Sequence, residues 1–403
     1  MKKGLIISIL TLAALSIFGQ DLSTKDWRTD LVFFRDQLEE YHNAPYNFIS
    51  KKEFEKKYQN LYENIPELDE SEIKVRLVQL AASQGDGHTN IRPCDSFKSF
   101  PVRFFWFNDE LRVVKAGKDY QEILGGKVER IGDTPISVAY EKVKKLIPQN
   151  ESEMFDLGWS QALLRMSEPL TAFGLIKNND RLPLTISKDD GSVQEVEIIL
   201  HEVETNELIW AYKEVPRFLQ DRSTPYYEWL SEEKKILYFN FETYPEWNEF
   251  KDFGIGLIRF IAQNKVKTLV VDLRRNGGGD FKKGLKLIEE LNNRIGFSEK
   301  GKTYVLIGRY TFSAGMSNAT HFKKMMGGVL VGETTGARPN GYQENHAFEL
   351  PNSKIPASVA QEYYEFSDND TAGLFPDVEI LPEYKWYVQG RDPVLEWVLH
   401  EEE

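Results

Sequence analysis

A single cysteine, Cys94, occurs in 403 residues. It cannot form an internal disulfide, and a chain long enough to bury sizeable cores does not need one. Histidine is scarce too, with six, and no set of His, Asp and Glu stands at ligand spacing, so no metal is implied. No nucleotide cofactor is implied either: the glycine-rich stretches lack the GK[ST] ending of a P-loop and the spaced glycines of a dinucleotide fingerprint. Positive charge is in deficit, with 50 basic against 63 acidic residues and a net charge of −13. Such a surface repels nucleic acid backbones, which excludes them as expected partners. Beyond the first twenty residues no run is long and apolar enough to cross a membrane. Internal repeats and low-complexity segments are absent.

What is present begins with "MKKGLIISILTLAALSIFGQ", in which Lys2 and Lys3 precede an apolar run to Phe18 and small or polar residues at Gly19 and Gln20. This is the layout of a secretory signal peptide over residues 1–19, and it predicts a periplasmic or secreted bacterial protein. Cys94 lies too far from this leader to carry a lipid at a new N-terminus, and is expected to be a buried small residue. The remaining length suggests two or three domains.

Three regions follow. Residues 20–95 carry apolar residues at spacings of three and four among charges, as in "KDWRTDLVFFRDQLEEYHNAP", and predict a helical N-terminal region. Residues 96–205 contain short, partly alternating runs broken by Gly, Asp and Pro, with "SVAYEKVKKLI" as a helix between them, and predict a small β-rich module. Residues 206–403 alternate strand and helix, and the strands "KILYFNFE" and "VKTLVVDLRRN" are apolar at nearly every position. Strands of that kind are covered on both faces, so a layered α/β core with flanking helices is expected.

In such cores reactive groups gather where strands end and helices begin. Ser313, in "GRYTFSAGMSNATHF", occupies such a place. Its hydroxyl could serve as a nucleophile or merely cap the helix that follows. "VVDLRRNGGGD" puts three consecutive glycines after an apolar strand and before a helix; bare amides there could cradle a phosphate or form an oxyanion hole. A nucleophilic serine needs a base. His88, in the loop "SQGDGHTNIRP", is the best placed, and His346 in "YQENHAFEL" is a rival. His321 stands about 12 Å further along the same helix as Ser313, at 1.5 Å per residue, too far for direct proton transfer.

With "GDGHTN", "VVDLRRNGGG", "TFSAGMSNA", "GGVLVGETTGARPNG" and "AGLFPDVEI" in that order, the chain resembles the tail-specific and C-terminal processing protease family, a group that includes the tricorn core protease and the retinoid-binding repeats of the retina. The resemblance implies a crotonase-like α/β core, Ser313 as nucleophile, and the amides of Gly278, Gly279 and Ala314 as oxyanion donors. Family members with a serine-lysine dyad carry the lysine twenty-five residues after the serine; here that position is Arg338, which stays protonated and cannot act as base. The tricorn-like branch takes a histidine from the "GHT" loop, which corresponds to His88, and orients it through a serine and a glutamate. Gly87 stands where that serine is expected, and Asp370 falls near the glutamate, with Asp368 and Asp86 as other acids at hand. The stretch "LGGKVERIGDTPISVAYEKVKKLIP" resembles the family's PDZ-like module, which receives a peptide end by strand addition; a structural spacer is the other reading.

These expectations describe an exported serine endopeptidase acting on polypeptides through an acyl-enzyme, with His88 as base and Arg338 available to a substrate carboxylate. The alternative is a catalytically inactive family member that binds a peptide or an apolar ligand. An α/β-hydrolase esterase is excluded because G-x-S-x-G is absent around Ser313.

Overall fold

The computed structural model describes residues 22–92, 97–202, 207–212, 214–220 and 224–402. The leader 1–19 and Cys94 lie outside them. Three helices come first: α1 (Thr24–Tyr41), α2 (Lys51–Asn64) and α3 (Glu70–Ala82). Each opens with a capping box, from Ser23 to Asp26, Ser50 to Glu53 and Asp69 to Glu72, so the first-turn amides of all three are satisfied locally. Trp27, Leu31, Phe34 and Leu38 form one buried stripe of α1, and they pack with Phe54, Leu61, Ile73 and Leu77. Burying a side chain of that size contributes roughly 1.5–3 kcal/mol.

After the two-residue strand β1 (Asn90–Ile91) the chain enters an antiparallel sheet of β2 (Val102–Phe107), β3 (Glu110–Ala116), β4 (Lys127–Ile131), β5 (Thr134–Pro135), β6 (Arg181–Ser187), β7 (Val193–Ile199) and β8 (Ile209–Trp210). The spatial order is β2-β3-β4-β6-β7, with β5 on β4 and β8 on β3. Helices α4 (Ile136–Val143), α5 (Glu153–Leu163) and α6 (Ser167–Ala172) interrupt the strands. The pattern predicted α4 but neither of the others. The buried positions of α5 include Asp156, Gly158, Ser160 and Gln161 beside Phe155 and Leu163, so no clean apolar period marks it.

The remaining elements are β9 (Tyr226–Ser231), β10 (Ile236–Asn240), α7 (Trp247–Asn264), β11 (Thr268–Asp272), α8 (Phe281–Ile295), α9 (Phe297–Lys300), β12 (Lys302–Ile307), α10 (Ala314–Met326), β13 (Val329–Gly332), β14 (Asn340–Glu349), β15 (Pro356–Glu365), β16 (Val378–Glu379), α11 (Tyr384–Tyr387) and α12 (Pro393–Glu401). A mixed sheet runs β16-β13-β12-β11-β10-β9. It is parallel from β10 through β16, and β9 is antiparallel at its edge. Every residue of β10 and β11 is buried. Residues of α7, α8 and α10 cover one face and those of α12 the other.

The long hairpin β14–β15 leaves this sheet. It pairs with β1 as a third sheet, and Leu350, Ile355, Ala357 and Val359 complete the core of the N-terminal helices. Buried Asp30 of α1 accepts from the backbone amides of Asn352 and Ser353 at 2.8 Å each and from the Asn352 side chain. Residues more than 320 apart in sequence are thereby fixed together, and the loop leading from α3 to β1 is brought over the ends of β11 and β12.

Candidate active site

Two turns and one loop build the site. The first turn follows β11. Asp272 accepts from the backbone and side chain of Arg274, which in turn grips Asp392 with two bonds of 2.8 Å. Asp392 also caps α12, so a buried triad of charges sets the direction of the chain into Asn276-Gly277-Gly278-Gly279. A buried ion of this kind persists only when paired and hydrogen-bonded.

The second turn follows β12. Thr311 Oγ1 donates to the Leu273 carbonyl at 2.8 Å, and the Phe312 amide donates to the Asn276 carbonyl at 2.9 Å. The two turns are thus clamped together. A side chain at Gly315 would come within 2.4 Å of the Asn276 carbonyl, and one at Gly278 within 2.8 Å of Ser313 Cβ. Glycine at both positions permits the close approach. Gly278 and Gly279 also adopt φ of +122° and +150°, and Gly279 lies against the Tyr244 ring.

Ser313 sits at the junction with α10, at φ 49° and ψ −123°, and its side chain does not cap the helix. A non-glycine residue in that region carries strain of about 1–3 kcal/mol, held by the surrounding structure. The hydroxyl instead lies 2.9 Å from His88 Nε2. Of the two roles open to this serine, the hydroxyl is engaged with the histidine and not with the helix.

The His88 loop is positioned from several directions. Asp86 Oδ1 accepts from the amides of His88 (3.1 Å) and Thr89 (2.7 Å), and Ser358 Oγ on β15 donates to the His88 carbonyl at 2.8 Å. Asp86 Oδ2 bonds His42 Nε2 at 3.2 Å. The Ala44 amide donates to His42 Nδ1, which fixes the proton of that ring on Nε2. The His88 ring stacks on Phe312, whose other neighbour is Phe155, at centroid distances of 5.1 and 5.0 Å. A Cβ at position 87 would meet Phe312 at 2.6 Å. The aromatic ring occupies the space a serine there would need.

Burial pushes the His88 pKa below its usual value, opposed by the Asp86 carboxylate, the Tyr342 carbonyl and Glu344. The ring is therefore neutral at neutral pH and can accept a proton from Ser313. With Nε2 as acceptor, Nδ1 carries the ring proton. It makes no hydrogen bond of normal geometry, and the Tyr342 carbonyl is the backbone acceptor beside it.

Glu151 is the part of the site that the sequence pattern did not single out. Its Oε1 accepts from the Gly87 amide at 2.9 Å and its Oε2 from the Arg338 amide at 3.3 Å. Burial raises its pKa to about 7, against the lowering effect of those two amides and with the help of nearby Asp86. Its neighbours do the same bridging work: the Asn150 amide donates to the Gly85 carbonyl, and Ser152 bonds the carbonyls of Gly336 and Thr335. Residues 150–152 thus tie the histidine loop to the 335–338 loop. A glutamate in the polar run "PQNESE" carries no local signal of this role.

The other predicted residues are placed as follows. Arg338 donates to Asn150 and, at 2.7 Å, to Asp370. Asp370 is an exposed partner of that arginine and makes no hydrogen bond to His88 among the described residues. The Gly278 amide donates to Asn276 Oδ1 at 3.1 Å. The amide of Ala314, first residue of α10, has no intrahelical acceptor, as in any helix start. His346 bonds Gln37 and stacks on Tyr41 on the far side of the hairpin, and His321 bonds Asn318. No group of His, Cys, Asp and Glu able to hold a metal occurs among the described residues, nor does any described helix suffice in length and apolarity to cross a membrane.

No protein-family profile matches the chain. The tricorn protease of Thermoplasma acidophilum is 26% identical over 205 residues, covering 44% of this chain; the chain spans only 18% of the length of that curated relative. Among solved structures, mature CPAF complexed with lactacystin superposes with a TM-score of 0.61 at 11% identity, over 94% of this chain and 98% of that one. Mature CPAF alone gives 0.61 at 12% identity, over 94% and 96%. The fold, with its helical region and mixed sheets, is therefore similar to that of CPAF along nearly its whole length.

Proposed function

We propose that the chain is a serine peptidase that uses Ser313 as nucleophile and His88 as general base. The observation that carries this reading is the 2.9 Å contact between His88 Nε2 and a serine hydroxyl held at positive φ. His88 takes the hydroxyl proton as Ser313 attacks a peptide carbonyl, then gives it to the leaving amine; water resolves the acyl-enzyme by the same route in reverse. The amides of Ala314 and Gly279 face the developing oxyanion, and that of Gly278 exchanges its Asn276 acceptor for it. Asp86 and Glu151 hold the loop rather than the ring. Arg338 is bound to Asp370 and Asn150 and cannot lose a proton, which supports a histidine-using mechanism over a lysine dyad.

The same reading takes the mixed sheet of residues 206–403 as a crotonase-like catalytic core and the sheet of residues 96–205 as a PDZ-like module. It takes the leader as an export signal, which places the activity in the periplasm or outside the cell.

Labelling by a serine-reactive fluorophosphonate tests it. Wild type is expected to label on Ser313, at a rate rising with pH through a transition below the usual histidine value of 6.5. Ser313→Ala is expected to abolish labelling, and His88→Ala to slow it by about 10²–10⁴-fold, the usual contribution of a general base. Folded wild type that stays unlabelled from pH 5 to 9 would return the chain to the non-catalytic binding reading.

A further inference from the structure

A cavity of about 630 Å³ is lined by strands of the antiparallel sheet and by Gly277 of the glycine turn and Phe312, the residue before Ser313; Arg165 is also in its lining. Its walls include Phe105, Trp159, Phe218 and Tyr310. Trp159 and Tyr310 remain 49% and 39% exposed although both are large and aromatic. Tyr310, three residues before Ser313, is fixed by a bond from the Gln161 side chain of α5, so the cavity wall and the serine turn are one connected surface.

Cations stand out here in a protein that is acidic overall. Arg309 is paired with Glu333, and Arg275 with Glu242, the one acid among the described residues that line the cavity. Arg165 is different. Its Nη1 is fully buried and makes no hydrogen bond, and no carboxylate forms a salt bridge with it among the described residues. Burial and the neighbouring charge of Arg103 lower its pKa to about 9, which leaves it cationic at neutral pH. A half-buried guanidinium with a buried, unused donor is unfavourable unless an acceptor arrives, and a planar fork is matched best by a carboxylate. A largely apolar pocket with a few convergent charged groups is a usual form of ligand site, and here Arg103, Lys115, Arg275 and Arg309 line it beside Arg165.

We propose that this cavity is a specificity site that holds a substrate carboxylate on Arg165 and a neighbouring large apolar side chain against Trp159 and Tyr310. The proposal rests on the peptidase reading for the word substrate. The carboxylate comes either from an Asp or Glu side chain or from the peptide's own C-terminus.

Binding to the Ser313→Ala variant, which needs no turnover, separates the two readings. The probes are the fluorescein-labelled peptide Gly-Ala-Ala-Phe-Asp-Ala, its Asn analogue in place of Asp, and the C-terminally amidated form of each, followed by fluorescence anisotropy. The doubly acidic peptide is expected to bind at least tenfold more tightly than the neutral amidated one. Loss on Asp replacement assigns the side chain, and loss on amidation assigns the terminus. Adding Arg165→Met is expected to remove the preference, and Arg165→Lys to restore part of it. The melting temperature of Arg165→Met is expected to hold or rise, since a buried unpaired charge is removed; a purely structural arginine would lower it. Equal affinity for all four peptides, no binding at all, or a preference that survives Arg165→Met would overturn the proposal. Wild type that binds the acidic peptides yet takes no fluorophosphonate would overturn the peptidase reading and leave this site standing.

Discussion

Ser313 is carried by the end of one strand and the start of one helix, whereas His88 is carried by a loop whose fixings come from four distant stretches of chain. The serine turn depends chiefly on β11, β12 and the glycines between them, within residues 268–315, with Asp392 of α12 anchoring it through Arg274. The histidine loop depends on His42 through Asp86, on Glu151, on Ser358 and on Phe312. A reactive group built into strand ends inherits the rigidity of the sheet. One built on a loop must be tied down by side chains, each of which can fail separately. The contrast separates a site element held by its own sheet from one held by side chains of distant segments.

The largest effect is expected on the rigid side. Arg274→Met would leave Asp272 and Asp392 buried without their shared cation, at a cost of about 3–5 kcal/mol. Chemical denaturation should show that loss, and fluorophosphonate labelling should fall with it because the glycine turn loses its anchor. Labelling at the wild-type rate in a destabilised Arg274→Met would break the comparison.

On the loop side Glu151 supplies a pH signature. Its folded pKa of about 7 stands above its ordinary value of 4.5. An acid with a raised folded pKa favours folding while it keeps its proton, so that contribution is complete below about pH 4.5 and is lost as pH rises through 7. Stability is expected to fall by about 2–3 kcal/mol across that window. Melting temperatures recorded from pH 4 to 8 should decline in wild type and run flatter in Glu151→Gln. Parallel profiles would remove Glu151 from the account of the loop.

A smaller effect distinguishes Phe312 from the missing hydroxyl at position 87. Gly87→Ser places a Cβ against the Phe312 ring and is expected to destabilise by about 1–3 kcal/mol. The double variant with Phe312→Leu should recover part of that loss in melting temperature. Recovery would show that packing, not a lost catalytic serine, explains the glycine.

Much of the serine side was legible in the sequence. Three glycines after an apolar strand, and a serine at a strand-to-helix junction, are local patterns with local causes. His88 could be named because its loop is glycine-rich and short. Asp370 was expected near the histidine and lies instead on Arg338, since an exposed acid and a half-buried arginine of two loops meet across a turn that no periodicity describes. Glu151 went unnoticed because an acid in a polar run looks the same whether it is solvated or buried.

The sequence by itself determined the strand and helix alternation of residues 225 to 332, the three helices at the start and the identity of Ser313 and His88 as candidates, because these follow from side-chain periodicity and backbone permissiveness within a few residues. Only the tertiary structure decided that the β14–β15 hairpin completes the core of α1–α3 and so delivers His88 to Ser313, 225 residues away. Burial likewise decided which charges matter: Glu151 and Arg165 differ from the other acids and cations of the chain in what surrounds them, and desolvation is a property of the assembled fold rather than of any stretch of sequence.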